Sequence, residues 1–412
     1  MKRRVVVTGL GAVTPIGNNV AETWESVVKG RNGIDQITLY DVSELKVKIA
    51  AEVKNLSTEG LIDPKEARRM DRSMILAMLA AIEAYEDANL SEGAVDNNRF
   101  GTFIGSGIGG LDTINDESRK AYEKNPDRMS PFFIPNSIIN LIGGNIAIRF
   151  QAKGPCLPIV TACSSATNSI GEAFRYIRDG YCDIAFAGGS EAPINALGVS
   201  GFTVMRALNF SNDKDNASIP FDKRRSGFVI GEGAGILILE EYEQAKKRGA
   251  KIYAEMVGYG TTCDAFHITA PDETASGISR CIELALSDGN VDPNEVDYIN
   301  PHGTSTPLND KYETLGIKKV FKEHAKNINI GATKSMHGHS LGAVGGIEAV
   351  ITVKAVLEDI APPTINYKEE DPDCDLNYTP NHAVKRPIRV AVSNSVGFGG
   401  QNATIVFKKF VE

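Results

Sequence analysis

The stretch Leu157-Pro158-Ile159-Val160-Thr161-Ala162-Cys163-Ser164-Ser165 sets an apolar run against the start of an amphipathic one, with a cysteine at the turn. Downstream, Ala166, Ile170, Ala173, Phe174 and Ile177 recur at helical spacing. Arg175 and Arg178 fall in the last turn, where cations suit the helix dipole. The reading is a strand feeding a helix, the repeating unit of α/β proteins. A cysteine at a helix N-terminus is expected to have a lowered pKa, because the dipole and the unpaired N–H groups favour the thiolate. Alone, such a cysteine reads as structural, since free cysteines are mostly buried and inert. Two segments far downstream change that: Pro301-His302-Gly303-Thr304-Ser305-Thr306-Pro307 and Lys334-Ser335-Met336-His337-Gly338-His339.

The same strand-then-turn grammar recurs along the chain. Glycine, with 40 residues, clusters after short β-branched runs such as Val5 to Gly9, Phe103 to Gly107 and Ile184 to Gly189. Helical periodicity predicts helices over Pro64–Asn89, Ser165–Arg178, Tyr242–Arg248, Ala275–Leu286, Asp310–Phe321 and Leu341–Leu357. A faint duplication accompanies them. Ile252 to Gly260 echoes Val5 to Gly11, and Ile328 to Gly331 leads to Lys334 and His339 as Ile159 to Thr161 leads to Cys163. The expectation is two similar halves, 1–250 with Cys163 and 251–412 with His302, Lys334 and His339, together forming one domain.

The bulk numbers exclude several classes. The 412 residues are 42% hydrophobic and 23% charged, ordinary for a globular protein with a large core. The net charge of −8 gives no sign of nucleic-acid binding. Six scattered cysteines without a CxxC pair fit a reducing cytoplasm. Lys2-Arg3-Arg4 before an apolar run imitates a signal peptide, but Thr8, Gly9, Gly11, Thr14 and Pro15 interrupt that run; a first strand entering a glycine-rich loop is expected instead. Ser130 to Ile148 is long enough to span a bilayer, yet Pro131, Pro135, Asn136, Asn140 and Asn145 make it too polar.

Of the six histidines, His324 sits on an expected surface helix, His382 in a proline-flanked loop, and His267 beside Asp264. His302 and His339 differ: each stands in a Gly/Thr/Ser-rich turn, where rigid scaffolding presents side chains. His337-x-His339 with His302 offers three nitrogen ligands, but no carboxylate stands near and Lys334 would repel a cation, so no metal is expected. Gly105-Ser106-Gly107-Ile108-Gly109-Gly110 matches GxGxxG after a strand. The residues that follow lack the required helical pattern, and no acidic residue closes a second strand, so no dinucleotide site is expected. GxSxG and GxxxxGK[ST] are absent.

Thr161-Ala162-Cys163-Ser164-Ser165, His302 to Pro307, Thr333-Lys334-Ser335-Met336-x-Gly338-His339 and Asn394-Ser395-Val396-Gly397-Phe398-Gly399-Gly400 resemble the signature set of the β-ketoacyl-acyl carrier protein synthases, in particular the elongating type II enzymes of bacterial fatty-acid synthesis. The likeness runs from Val5 to Phe407 and includes Pro220-Phe221-Asp222 and Gly227 to Gly235. The chain departs from the family with His337 in place of Thr, Pro301 in place of Ala, and Val396 and Gln401 in place of Phe and Thr.

The resemblance implies a thiolase-like five-layer αβαβα fold and a homodimer. It implies that Cys163 carries the acyl chain, and that a malonyl group on an acyl carrier protein decarboxylates to an enolate which attacks it. His302 and His339 would donate neutral N–H groups to the enolate oxygen. Lys334, balanced by Glu348, would orient His339 and disfavour its protonation. The N–H groups of Cys163 and Phe398 would form the oxyanion hole, and Thr304 and Thr306 would bond a phosphopantetheine arm that arrives on the carrier, so no cofactor is expected. A thiolase would need a second cysteine at 397–400, an initiation-type synthase an Asn at 339, and a chain-length-setting partner would lack Cys163. A polyketide ketosynthase with the same residues stays open.

Two surfaces complete the expectations. Lys65, Arg68, Arg69 and Arg72 follow i, i+3, i+4, i+7 on the helix begun by Pro64, and so share one face. The resemblance implies that Lys65, Arg68 and Arg69, with Arg206, dock an acidic carrier. It also implies an apolar acyl tunnel beyond Cys163, gated by Phe398 and lined by Ile108, Phe202 and Phe133, the last in a loop contributed across the dimer.

Overall fold

The computed structural model describes residues 2–411. Strand β1 (Val5–Val13) is buried along its whole length. Gly9 and Gly11 lie inside it, which corrects the expected short strand and glycine loop. A Cβ on Gly11 would come 1.8 Å from the Ala80 carbonyl oxygen, so its bare Cα is what lets a helix backbone press on the strand. Eight further strands join β1: β2 (Phe100–Gly105), β3 (Ile184–Glu191), β4 (Gly233–Glu241), β5 (Ala254–Cys263), β6 (Tyr298–Asn300), β7 (Asn329–Ile330), β8 (Val390–Gly397) and β9 (Gln401–Lys408). Their order is β2-β3-β4-β1-β5-β9-β8-β6-β7.

Read outward from the middle, the sheet repeats itself. β1 pairs with β5 antiparallel through Val5–Val7. On one side β4, β3 and β2 follow, with β3–β4 antiparallel and β2–β3 parallel. On the other side β9, β8 and β6 follow with the same alternation. Strand order and pairing sense therefore read the same outward from β1 and from β5.

Five helices make the layers: α1 (Arg72–Asp87), α2 (Ser165–Arg178), α3 (Ser276–Asp288), α4 (Pro307–Phe321) and α5 (Val344–Glu358). α1 covers β1 and β4 from outside, while α3 covers β5 and β9 with α4 beside it. α2 and α5 pack on each other and touch strands of both halves. Ile170, Phe174 and Ile177 of α2 meet Ile347, Val350 and Ile351 of α5 in one buried cluster with Leu237 and Ile405. This is the five-layer thiolase-like arrangement, and it places the N-terminus of α2 and the segment before α5 at the centre of the molecule.

Three local expectations fail for physical reasons. The helix expected over Pro64–Asn89 breaks into Pro64–Ala67 and α1. Asp71 caps the second by accepting from the Ser73 N–H, and Arg72 turns inward to Glu232 through two 2.6 Å bonds. Arg72 therefore leaves the basic face assigned to it. Leu157–Val160 is not a strand: among the described residues a single bridge, Thr102 to Cys156, joins this region to β2, and Leu157 and Val160 are exposed. A helix, Leu111–Glu123, does follow the GxGxxG string directly. Among the described residues no helix is long and apolar enough to cross a membrane.

Candidate active site

The nucleophile turn is built from strained backbone and short side-chain bonds. Ala162 holds φ +49, a conformation that a residue with a Cβ adopts at a cost. Ser165 Oγ donates to the Ala162 carbonyl at 2.6 Å and accepts from the Thr161 N–H at 2.9 Å. Ser164 Oγ donates to the Gln401 carbonyl at 2.7 Å, tying the turn to the other half. Cys163 is thereby fixed in a 3-10 turn, Ala162–Ser164, immediately ahead of α2.

The two histidines arrive from the other half. His339 Nε2 lies 3.2 Å from Cys163 Sγ. The rings of His302 and His339 stand edge to face at 85° with centroids 5.2 Å apart. Sγ and one nitrogen from each ring all lie within 4.8 Å of one another. His302 is held by its backbone: its N–H and that of Gly303 donate to the two carboxylate oxygens of Glu313 at 2.7 and 2.8 Å. His339 donates its N–H to the Val229 carbonyl at 2.8 Å, and Phe228 meets its ring edge-on. Among the described residues, Nδ1 of each of these two imidazoles is buried without a partner. His337 instead turns both ring nitrogens away, to Gly338 and Thr333, so the His337-x-His339 ligand pair does not form.

Lys334 Nζ donates to Glu348 Oε1 at 2.6 Å, and both groups are fully buried. No hydrogen bond is present between Lys334 and His339 among the described residues. The lysine reaches the imidazole through its field, and the orienting contacts are the backbone and Phe228. Burial first and Lys334 second hold both His302 and His339 well below the ordinary histidine range, so both are neutral. The Cys163 thiol moves opposite to expectation: burial pushes it up to about 12, although Lys334 and the N–H groups of Phe398 and Cys163 itself pull it down. A helix end acts over one turn, and full desolvation outweighs it.

These groups open into a cavity of about 470 Å³ lined by Cys163, Phe202, Arg206, Thr304, Thr306 and Phe398 among others. The Thr304 and Thr306 hydroxyls are 3.0 Å apart. Ile108 is not on this wall; it packs with Phe202 against the buried cluster containing Cys163 and Phe228. Phe133 begins a short helix, Phe133–Ser137, rather than lying in a loop, and it does not line the cavity. Lys65, Arg68 and Arg69 are exposed around the Pro64–Ala67 turn, with Arg69 over the Phe132 ring at 5.3 Å; none of the three joins Arg206 at the cavity.

Four contributions were not read from the sequence: Glu313, the cavity residue Leu341, the loop from Asp264 to Pro271, and Glu191. The last answers the dinucleotide question. Its carboxylate accepts from the N–H groups of Gly107, Ile108 and Gly109 at 2.6, 3.0 and 3.3 Å, from Ser106 Oγ at 2.8 Å, and from the Gly342 N–H at 2.9 Å. The glycine cradle is already filled by the buried Glu191 side chain and has no room for a phosphate.

Thiol, paired neutral imidazoles and a buried lysine at the centre of this fold define the Cys-His-His class of thiolase-like proteins. The chain belongs to the beta-ketoacyl synthase family: residues 2–245 match its N-terminal domain and residues 253–368 its C-terminal domain. It is 51% identical over 410 residues to the 3-oxoacyl-[acyl-carrier-protein] synthase 2 of Synechocystis sp., with 99% of each chain covered. It is 49% identical over 408 residues to the protein of the same name in Staphylococcus aureus, again over 99% of each. Among solved structures, it matches all of a type II polyketide ketosynthase in complex with its acyl-carrier protein at 35% identity and TM-score 0.93. It also matches all of a beta-ketoacyl synthase from Burkholderia phymatum at 33% identity and TM-score 0.93.

Proposed function

We propose that this protein elongates fatty acids as a β-ketoacyl-acyl carrier protein synthase. The observation that carries the reading is the meeting of Cys163 Sγ with the nitrogens of His302 and His339 inside 4.8 Å. In the first half-reaction the Cys163 sulfur takes the acyl group from a carrier thioester, and its proton passes to the departing carrier thiolate. The Cys163 and Phe398 N–H groups, which bear on the Cys163 sulfur, would donate to the carbonyl oxygen as negative charge develops there. In the second, malonyl-carrier loses carbon dioxide. With their protons on Nε2, both neutral imidazoles donate to the enolate oxygen. The enolate carbon then attacks the acyl carbonyl, the Cys163–acyl bond breaks, and the thiolate takes up one proton.

Identity near 50% to synthases of this name, against 35% to the polyketide ketosynthase, favours the fatty-acid reading over the polyketide one. The reaction needs no bound cofactor, since phosphopantetheine comes with the carrier and meets Thr304 and Thr306. A metal between the three residues would sit in the field of Lys334, which opposes it. The carrier is acidic and docks on Arg206 with Lys65, Arg68 and Arg69. The exposed apolar side chains of Ile134, Ile138, Val160 and Val204 support a homodimer. Six free cysteines support a cytoplasmic setting. The test is intact mass after incubation with defined acyl carriers, followed by malonyl-carrier turnover. A mass gain of one acyl group and a product longer by two carbons are expected; no acyl adduct would refute the reading.

A further inference from the structure

His337 is fully buried at the end of the short helix Lys334–His337, two residues before His339. Nδ1 lies 3.0 Å from the Gly338 carbonyl oxygen, which can only accept, so Nδ1 carries the proton. Nε2 is bare in that tautomer and accepts from the Thr333 hydroxyl at 3.0 Å. The same hydroxyl accepts from Asn300 Nδ2 at 3.4 Å. Asn300 stands two residues before His302, so one hydrogen-bonded line joins the turns that carry both histidines.

The line ends on the peptide that aims His339. Its carbonyl, from Gly338, is held by His337, and its N–H, from His339, is held by Val229. Gly338 has φ 65 and ψ −166, a conformation that an L side chain rarely adopts. The His339 carbonyl in turn accepts from the Gly231 N–H at 2.9 Å. His337 does not line the cavity. Burial first and Lys334 second bring its pKa down to about 3, so it contributes hydrogen bonds and no charge.

We infer that His337 is a positioning residue: bonded at both nitrogens, it fixes the Gly338–His339 peptide and thereby the direction from which His339 meets the reacting oxygen. This rests on the condensing reading above and deepens it. The experiment measures decarboxylation of malonyl-carrier and acylation of Cys163 separately. Absence of both in the wild type would refute the condensing reading, independently of His337.

The informative pair is His337→Asn and His337→Gln. An Asn amide reaches the place of Nδ1 and keeps the Gly338 bond; a Gln amide reaches the place of Nε2 and keeps only Thr333. His337→Asn is expected to stay near wild type. His337→Gln is expected to lower kcat for decarboxylation by about 10- to 100-fold, the scale of a sub-ångström to one-ångström misplacement, with KM and Cys163 acylation little changed. His337→Ala removes both bonds and should slow the same half-reaction at least as much, which keeps the inference open to test if His337→Gln does not fold. Wild-type decarboxylation in His337→Gln or in His337→Ala overturns the inference. So does an equal loss in the Asn and Gln variants across both half-reactions, which is the signature of general packing.

Discussion

Cys163 Sγ and His339 Nε2 stand 3.2 Å apart, yet neither is ionised: burial raises the thiol and lowers the imidazole. The resting pair is a thiol beside a neutral ring, not a thiolate beside an imidazolium. The charge on sulfur therefore exists only in passing, while N–H groups and Lys334 stabilise it.

Acylation should be confined to Cys163. Peptide mapping after acyl transfer should find the adduct there, and Cys163→Ala should abolish condensation while leaving the fold intact. Exposed Cys156 is the internal control, since it is the more accessible thiol. Label on Cys156 or Cys182 would sink the assignment.

His302→Ala and His339→Ala should each slow malonyl decarboxylation by about 10²-fold or more, the scale of losing one preorganised donor. Acylation of Cys163 should suffer less. Equal losses in both half-reactions would move that histidine to activation of the thiol.

Lys334→Ala should be read in the pH profile. With both histidines held well below the ordinary range, wild-type decarboxylation should lose no activity to histidine protonation as pH falls from 7.5 to 6. Removing Lys334 deletes a cause that lowers both values, so the histidines should protonate at higher pH. The acid limb should move upward. An unmoved limb in Lys334→Ala would remove the lysine's electrostatic role.

Rising ionic strength should raise the KM of carrier-linked substrates far more than that of small thioester mimics, because docking on Lys65, Arg68, Arg69 and Arg206 is screened. Equal sensitivity for both substrate types would dismiss the basic docking surface.

Ile108→Phe should shorten the longest accepted acyl chain and leave short-chain transfer nearly intact. Ile108 and Phe202 both pack against the buried cluster that contains Cys163, and Phe202 lines the cavity, so added bulk at Ile108 should press on the cavity wall from behind. Each excluded methylene is worth about 0.8 kcal/mol, so the cutoff should be sharp. A uniform loss at all lengths would reduce Ile108 to a supporting role.

The reacting residues were legible because each sits in a short contiguous motif beside a regular element. The layers were legible through α2, whose apolar spacing at Ile170, Phe174 and Ile177 matches its buried face. What escaped depends on distance in the fold. Glu313 grips the His302 turn from the next helix, and nothing in the sequence marks it as a partner. The shared face of Lys65 to Arg72 assumed one unbroken helix, whereas the Asp71 cap and the Arg72–Glu232 pair end it. The thiolate expectation counted the helix end, which is local, and missed full burial, which only the tertiary structure supplies.

Glu191 holds the Ile108 N–H with one oxygen and the Gly342 N–H, three residues past His339, with the other. One carboxylate thus fastens the Ile108 loop to the segment that follows the histidine. A displacement of that loop is therefore passed by a single side chain to the segment behind His339. A substitution engineered at the loop should accordingly be screened for its effect on rate as well as on the chains accepted.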